Sequence, residues 1–372
     1  MVYKEKRTYL AVVPFYPPEV LKTEDYFLYP AQVALESGYD AQIFSFNANG
    51  ARNDISRDGL TIKWFRTPRE LFGNIPSSLS LLHCHGMTKK MFILYILLFL
   101  SRKKTRKLLT PHTSFGILPP FATPIRIHSL GRFIFDLFDG IISLSPFEKD
   151  FYEKKRFKRS YESTLAIDYG FFSGIKESEY RDSDFERRFG LDGASQVILF
   201  MGGNRAIKNP RVVLEAFNGV REAGNPCKLI VVDCIDTTRS NLDDVVLPHY
   251  RKDVFFMGRL DPYSDLFHDV MKASDIFVNS SKNEGFALGV AEAAAVGMAL
   301  CLSDIGTLRS LYGNSALYHH PSDFRMLRDN LLRYLKEENL REQHVRANKD
   351  TVKVFDLLHV KHRIREIFDL IQ

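Results

Sequence analysis

The sequence predicts an α/β protein of two domains, each a parallel sheet flanked by helices. The chain has 372 residues, more than one hydrophobic core usually organises, so two domains of about 150–200 residues are expected. Short apolar runs of strand length alternate with longer helical stretches, which is the pattern of β–α–β units. That rhythm stops once, around Tyr169 to Phe189, where charge replaces it, and then resumes. The first domain is therefore drawn over 1–172, a linker over 173–189 and the second domain over 190–356.

In the first domain, Thr8–Pro14 reads as a strand, Tyr26–Ser37 as a helix ending at Gly38, and Ala41–Phe46 as the next strand. Leu60–Phe65 and Leu79–His83 add two strands, followed by the all-apolar Met91–Leu100, read as a helix. Arg106–Thr110, a helix near Pro124–Phe138, strand Gly140–Leu144 and a helix from Pro146 complete the half. The second domain opens with strand Gln196–Met201. Helix Arg211–Glu222, strands Lys228–Asp233 and Asp253–Met257, and helix Tyr263–Ala273 follow. Strand Met298–Ser303, a short helix from Thr307, strand Ala316–His319, helix Asp323–Glu337 and a helical tail from about Leu340 close the chain. Asp182-Ser183-Asp184 sits in the charged break rather than at the end of an apolar strand, so it is given no metal role.

Hydrophobic residues make up 45% and charged residues 26%, a globular rather than a disordered balance. Cys84, Cys227, Cys234 and Cys301 lie in or beside apolar runs without metal-ligand spacing, so they are expected to be reduced core residues. The amino terminus leads straight into a strand, and no apolar run reaches the roughly 20 residues that span a bilayer. A cytoplasmic protein is expected. The net charge of +6 is unevenly spread: Gly86 to Phe135 holds no Asp or Glu, yet contains Lys89, Lys90, Arg102, Lys103, Lys104, Arg106, Lys107, Arg126 and Arg132. A second basic cluster spans Lys154–Arg159. Met91–Leu100 is read first as a core helix; with the flanking cations it also admits a peripheral contact with an anionic inner membrane face. No nucleic-acid-binding signature is present.

The stretch Asn279–Gly297 organises the rest. Asp275–Asn279 reads as a buried strand, Ser280–Asn283 as a loop, and Phe286 onward as an Ala-rich helix capped by Gly297. A strand feeding a helix through a loop offers unpaired N–H groups to phosphate, backed by the helix dipole. Gly285 and Ala287 would let a diphosphate approach the backbone. Glu284 stands before the phosphate position and Glu292 about two turns into the helix, so carboxylates flank it on both sides.

This segment resembles the E-x7-E region of retaining GT-B glycosyltransferases of family 4, through Glu284-Gly285-Phe286, Leu288, Glu292-Ala293 and Gly297. The resemblance implies two Rossmann-like domains with parallel sheets facing a central cleft, and a last helix, about 357–372, that packs back on the first domain. It implies transfer of a hexose-type sugar from a UDP-sugar or GDP-sugar to a glycan or lipid-linked acceptor, with retention of anomeric configuration. No cofactor and no divalent metal are implied. On this reading Glu292 holds the ribose diol, while Gly285, Phe286, Ala287 and Leu288 supply amides to the diphosphate. Arg205 and Lys208 neutralise it, and Glu284 acts at the donor sugar. His112 resembles the strand-end histidine that faces that sugar, and His85-Gly86 matches an acceptor-side His-Gly. His83 is expected to be structural, with the rings of His83 and His85 on opposite faces of their strand. The chain departs from the family at Gly203, where an Arg is usual, at Pro17–Thr23 in place of a Gly-Gly loop, and at Leu165-Ala166. Two alternatives remain open: a nucleotide-sugar epimerase of the same fold and a non-catalytic GT-B partner subunit.

Overall fold

The computed structural model describes residues 7–14, 27–46, 55–57, 59–101, 105–112, 134–155, 159–177, 183–191, 196–234, 242 and 244–371. Two compact units emerge: Met1–Ala166 with Leu358–Gln372, and Ile167–Leu357.

The first unit is built on strands β1 (Thr8–Val13), β2 (Asp40–Phe46), β3 (Ile55–Arg57), β4 (Leu60–Phe65), β5 (Leu81–His85), β6 (Arg106–Thr110), β7 (Gly140–Ser143) and β8 (Arg159–Glu162). Their order is β3-β4-β2-β1-β5-β6-β7-β8. Only β3 runs antiparallel, against β4; the others pair in parallel, as in Thr8 opposite Asp40 and Tyr9 opposite Leu81. Parallel strands need helical crossovers, which cover both faces and select near-continuous apolar runs such as Leu10–Val13.

Leu10, Val12, Leu82, Cys84, Leu109 and Ile141 from the sheet share a core with Met91, Leu94, Tyr95 and Leu98 from the helix Lys89–Leu100. Those four helix residues recur at the spacing of one helical face. The opposite face of the same helix exposes Ile93, Ile96, Phe99 and Leu100. The helix is thus half core and half apolar surface, not buried all round.

The closing helix Leu357–Ile371 packs through Val360, Ile364, Ile367, Phe368 and Ile371. Lys361 and Arg365 pair with Glu36 at 2.9 and 2.8 Å, and Arg363 donates to the Glu162 carbonyl at 2.9 Å.

The second unit carries strands β9 (Gln196–Met201), β10 (Cys227–Val232), β11 (Val254–Phe256), β12 (Ile276–Asn279), β13 (Ala299–Ser303) and β14 (Leu317–His319). All pair in parallel in the order β11-β10-β9-β12-β13-β14. Its core joins Ile198, Phe200, Leu229 and Val231 to Val213, Leu214 and Phe217 of helix Pro210–Glu222. Leu327, Leu331 and Tyr334 of helix Phe324–Lys336 pack on the same core.

Several details differ from the sequence reading. The charged break holds two helices, Tyr169–Gly174 and Ser183–Phe189, and both belong to the second unit. Asp168 caps the first of them by accepting from the Phe171 amide at 3.0 Å. Phe171 and Phe172 anchor it on Tyr263 and Phe267, so its apolar residues are too few to show a rhythm yet enough to pack. The division falls after Ala166, where Ile167 exchanges backbone hydrogen bonds with Phe355 and Leu357. Strands β3 and β8 were hidden in polar sequence because edge strands need only one apolar neighbour. The helix expected near Pro124–Phe138 lies largely outside the described residues, as does the Pro17–Thr23 stretch. All four cysteines are buried thiols outside any disulfide. Among the described residues, no helix is long and apolar enough to cross a membrane.

Candidate functional site

Both sheets reverse their strand order beside their first strand, between β1 and β5 in one and between β9 and β12 in the other. Ligands on such sheets bind outside the carboxyl ends of the strands at that switch point. The residues singled out in the sequence cluster at these two places, one in each unit.

In the second unit the loops after β9 and β12 are stitched together. Ser280 Oγ donates to the carbonyls of Lys208 and Asn209 at 2.7 and 3.1 Å, and the Lys282 amide donates to the Ile207 carbonyl at 2.8 Å. This brings Lys208 to Glu284. The Lys208 ammonium donates to Glu284 Oε1 at 2.5 Å, with the side chains 19% and 10% exposed. The same oxygen accepts from Ser281 Oγ at 2.6 Å and Asn279 Nδ2 at 3.3 Å, and Thr307 Oγ1 donates to the Glu284 carbonyl at 2.9 Å. The carboxylate is therefore fixed before any ligand arrives. A lysine ammonium has three protons, so Lys208 keeps donors beyond the one given to Glu284.

Helix Leu288–Val296 starts two residues later than the sequence suggested. Its N-cap is Ala287, in the left-handed region at φ 69° and ψ 71°, without a side-chain cap. A left-handed residue just before a right-handed helix turns successive N–H groups to one side, an arrangement that binds anions. The Leu288 and Gly289 amides have no intrahelical acceptor by helix geometry, while the Val290 amide already donates to Ala287. Phe286 points inward: it is 2% exposed and meets the Phe355 ring at 5.0 Å. Its contribution to a site is confined to its backbone. The helix ends as expected, with Gly297 at φ 95° donating to the Ala293 and Ala294 carbonyls.

Glu292 lies just over one turn into that helix. Among the described residues its carboxylate has no hydrogen bond or ion pair. Burial pushes its pKa up to about 7. Nearby Tyr312 has its phenol raised by burial first, then by Tyr318 and the Glu292 charge, and its buried hydroxyl finds no partner.

Arg205 does not stand free. Its guanidinium meets Asp233 at 3.3 Å and donates to the Gly202 carbonyl at 3.2 Å. The glycine that replaces the usual Arg has a local cause. Gly203 sits at φ 57°, and a Cβ there would lie 1.9 Å from the Asp233 carbonyl oxygen. No side chain fits that approach, so the cation can enter only from elsewhere in the loop.

In the first unit, β5 and β6 bring three histidines together. His83 and His85 lie on the same face with ring centroids 4.0 Å apart. The expectation of opposite faces is wrong, because residues two apart on a strand share a side. His83 is held at both nitrogens, by Tyr9 at 2.9 Å and Thr110 at 2.8 Å, which is the structural role expected of it. His85 Nδ1 meets His112 Nε2 at 2.9 Å, and His112 adopts φ 54°. Phe27 packs edge-on against both rings.

Burial pushes His83 and His112 down to about 3, and His85 well below its usual range with help from the other two rings. All three imidazoles are neutral at physiological pH. His85 Nε2 is buried without a partner. It lines a cavity of about 20 Å³ together with His112, Thr110 and Ser163, room for one water.

Sequence reasoning missed Asn279, Ser281 and Thr307 as supports of Glu284, Asp233 as the partner of Arg205, and Tyr9 and Thr110 as partners of His83. Only the polar run after an apolar strand hinted at the first two. Among the described residues, no group of three His, Cys, Asp or Glu side chains could hold a metal ion.

Residues 182–351 match the family described as "Glycosyl transferases group 1". A "Phosphatidyl-myo-inositol mannosyltransferase" of Mycobacterium leprae is 26% identical over 188 residues, covering 49% of this chain and 48% of the relative. A "D-inositol 3-phosphate glycosyltransferase" of Rhodococcus erythropolis is 30% identical over 145 residues, covering 36% of this chain and 32% of the relative. The chain thus spans about half or less of the curated relatives it matches. Among solved structures, a sucrose-phosphate synthase from Thermosynechococcus elongatus superposes with a TM-score of 0.74 at 15% identity, covering 98% of this chain and 99% of that one. The chain has the GT-B fold, and its residues 182–351 are similar to the group 1 glycosyl transferases.

Proposed function

We propose that this protein is a glycosyltransferase that moves a hexose-type sugar from a nucleotide-diphosphate sugar to an acceptor with retention of anomeric configuration. The observation that carries the reading is the pairing of Lys208 with Glu284 beside the amino terminus of helix Leu288–Val296. A cation, a fixed carboxylate and forward-facing amides suit a diphosphate followed by a sugar. The amides around Gly285–Leu288 take the diphosphate, with Lys208 and, from its pair with Asp233, Arg205 neutralising it. Glu292 accepts from the ribose diol, the partner its desolvated carboxylate lacks.

In the reaction, the bond from the anomeric carbon to the β-phosphate oxygen breaks and a bond to the acceptor oxygen forms on the same face. The leaving phosphate takes the acceptor proton. Glu284 favours the positive charge that develops at the anomeric carbon, and Lys208 the negative charge on the leaving oxygen. His112, neutral and held by His85, serves as a hydrogen-bonding group toward the sugar and not as a proton donor. The two cations supply the charge neutralisation that a divalent metal supplies elsewhere, so a metal-independent transferase is proposed.

For the acceptor we propose a glycan or lipid-linked molecule reached at an anionic membrane surface. The exposed stripe Ile93, Ile96, Phe99 and Leu100, on a helix that begins with Lys89 and Lys90, supports this part, as does a mannosyltransferase relative whose name includes a phosphatidyl-inositol.

The test is product analysis by proton NMR with UDP- and GDP-hexoses and a panel of acceptors. An axial donor bond that reappears axial in the glycoside supports the reading; inversion contradicts it. A changed sugar formed without acceptor would indicate an epimerase instead.

A further inference from the structure

The second unit holds a cavity of about 260 Å³ lined by Lys176, Asp275, Arg341, Glu342 and Arg346. It lies at the other end of the sheet from the loops described above. Asp275 immediately precedes β12 and Gly297, also on the wall, follows helix Leu288–Val296, whereas Glu284 and Ala287 follow the carboxyl end of β12. Four residues of strand, about 13 Å, separate the two ends.

The two arginines here are each paired with a carboxylate of their own helix. Asp275 accepts from the Val197 amide at 2.9 Å, Glu342 pairs with Arg346 at 3.3 Å, and Arg341 pairs with Glu338 at 3.5 Å and donates to the Tyr334 carbonyl at 3.2 Å. Lys176 has no hydrogen bond or ion pair among the described residues. Its ammonium is driven below the usual lysine range by burial, with the Lys349 and Arg341 charges adding to the effect and Asp275 opposing it. Lys349 lies just beyond the wall, its Cε 2.8 Å from where a Cβ of Gly297 would stand. The backbone that presents Lys176 is fixed by the Asp168 cap and the Phe171 and Phe172 contacts. A desolvated lysine with no hydrogen bond, balanced only by the Asp275 charge and facing two guanidinium-bearing residues across an open space, gains a close partner when an anion arrives. Guanidinium groups favour planar or phosphate oxygens. The volume is below the roughly 300 Å³ at which pockets take drug-sized ligands.

We propose that this cavity is a second anion site, separate from the donor loops, that binds a phosphate group, either free or on a small phosphomonoester, between Lys176, Arg341 and Arg346.

The experiment measures thermal stability against inorganic phosphate and against glycerol 3-phosphate, with sodium chloride at matched ionic strength as control. It is run in a Lys208→Gln background, which removes the central cation of the donor loops. The expected result is a saturable rise in Tm beyond the salt control. Adding Lys176→Gln or Arg341→Gln should raise the half-saturating concentration at least about tenfold, the loss of one charge-assisted hydrogen bond. Lys176→Gln should melt at or above its parent without phosphate, which verifies that it folds. Tighter binding of either ligand supports the site and tells free phosphate from phosphomonoester. An unchanged phosphate response in both added variants, or none beyond salt, overturns the proposal. Either result leaves the donor-site reading standing.

Discussion

Lys208 and Glu284, 76 residues apart in the chain, meet as an ion pair because neighbouring strands deliver their loops to one point. Glu284 keeps two further donors, Ser281 and Asn279, on the same oxygen. Glu284→Gln should cost about 3 kcal/mol by urea unfolding: a Gln oxygen still accepts those bonds, but the Lys208 ammonium loses its counter-charge. Transfer should also fall by about 10²-fold or more, since the charge acts in the transition state. A kcat within about threefold of wild type would remove Glu284 from the chemistry.

The Glu292 carboxyl titrates near 7, above its unfolded value of 4.5. A raised carboxyl pKa contributes stability that is complete below the unfolded pKa and is lost as pH rises through the folded one. Unliganded protein should lose up to about 3 kcal/mol from this group between pH 4.5 and 8. Glu292→Gln should flatten that slope, becoming more stable than wild type at pH 8 by urea midpoint. Nucleotide affinity should move the other way, weakening from pH 8 to pH 6 as the acceptor for the diol protonates.

The three histidines set the opposite acid response. His83 and His112 sit near 3 and His85 well below its usual range. A depressed histidine contributes stability that is present above the unfolded pKa of about 6.5 and is lost as pH falls toward the folded one. Each can contribute a slope of up to about 1.4 kcal/mol per pH unit below 6.5. Unfolding midpoints of the first unit, followed by proton exchange of β1 and β5 amides, should drop steeply from pH 6.5 to 4.5. A flat profile there would contradict neutral burial of the cluster.

Gly203→Ala tests why the family's Arg is absent. A Cβ 1.9 Å from the Asp233 carbonyl at φ 57° cannot be accommodated without moving backbone. The expected cost is about 3 kcal/mol or more, read as a Tm fall. Arg205→Ala, by contrast, should leave Tm within a few degrees, because its pair with Asp233 is well exposed, yet weaken donor binding.

The membrane reading rests on one helix face. Replacing Ile93, Ile96 and Phe99 by Ser should abolish flotation with phosphatidylglycerol vesicles while leaving the buried face, Met91, Leu94, Tyr95 and Leu98, intact. Equal flotation before and after would assign that stripe another role.

The parallel strands were legible because burial on both sides leaves uninterrupted apolar runs such as Ile198–Phe200 and Ile276–Val278. The β12–helix segment was legible because backbone needs, a small residue at 287 and a glycine at 297, survive in the letters. What sequence hid was pairing at a distance. Asp233 is unremarkable until its loop meets Arg205, and Ser281 is unremarkable until it meets Glu284. Helix Tyr169–Gly174 has only six residues, too few for a 3.6-residue period to emerge from a charged stretch. The shared face of His83 and His85 is legible in the sequence, because residues two apart on a strand point to one side. The exposed side of helix Lys89–Leu100 was invisible because every residue from Met91 to Leu100 is apolar, so no pattern distinguishes the packed face from the open one.

The central claim, that the loops around Glu284 and Glu292 hold a nucleotide-diphosphate sugar, is tested most directly by a thermal-shift panel of UDP, GDP, ADP and their hexose conjugates on wild type and Glu292→Gln. Saturation by one nucleotide at about 100 times its Kd should add about 2.7 kcal/mol of stability. The account predicts that response for one base, retained in Arg341→Gln and lost in Glu292→Gln. No response to any nucleotide, or an equal response in the Glu292→Gln protein, would contradict it.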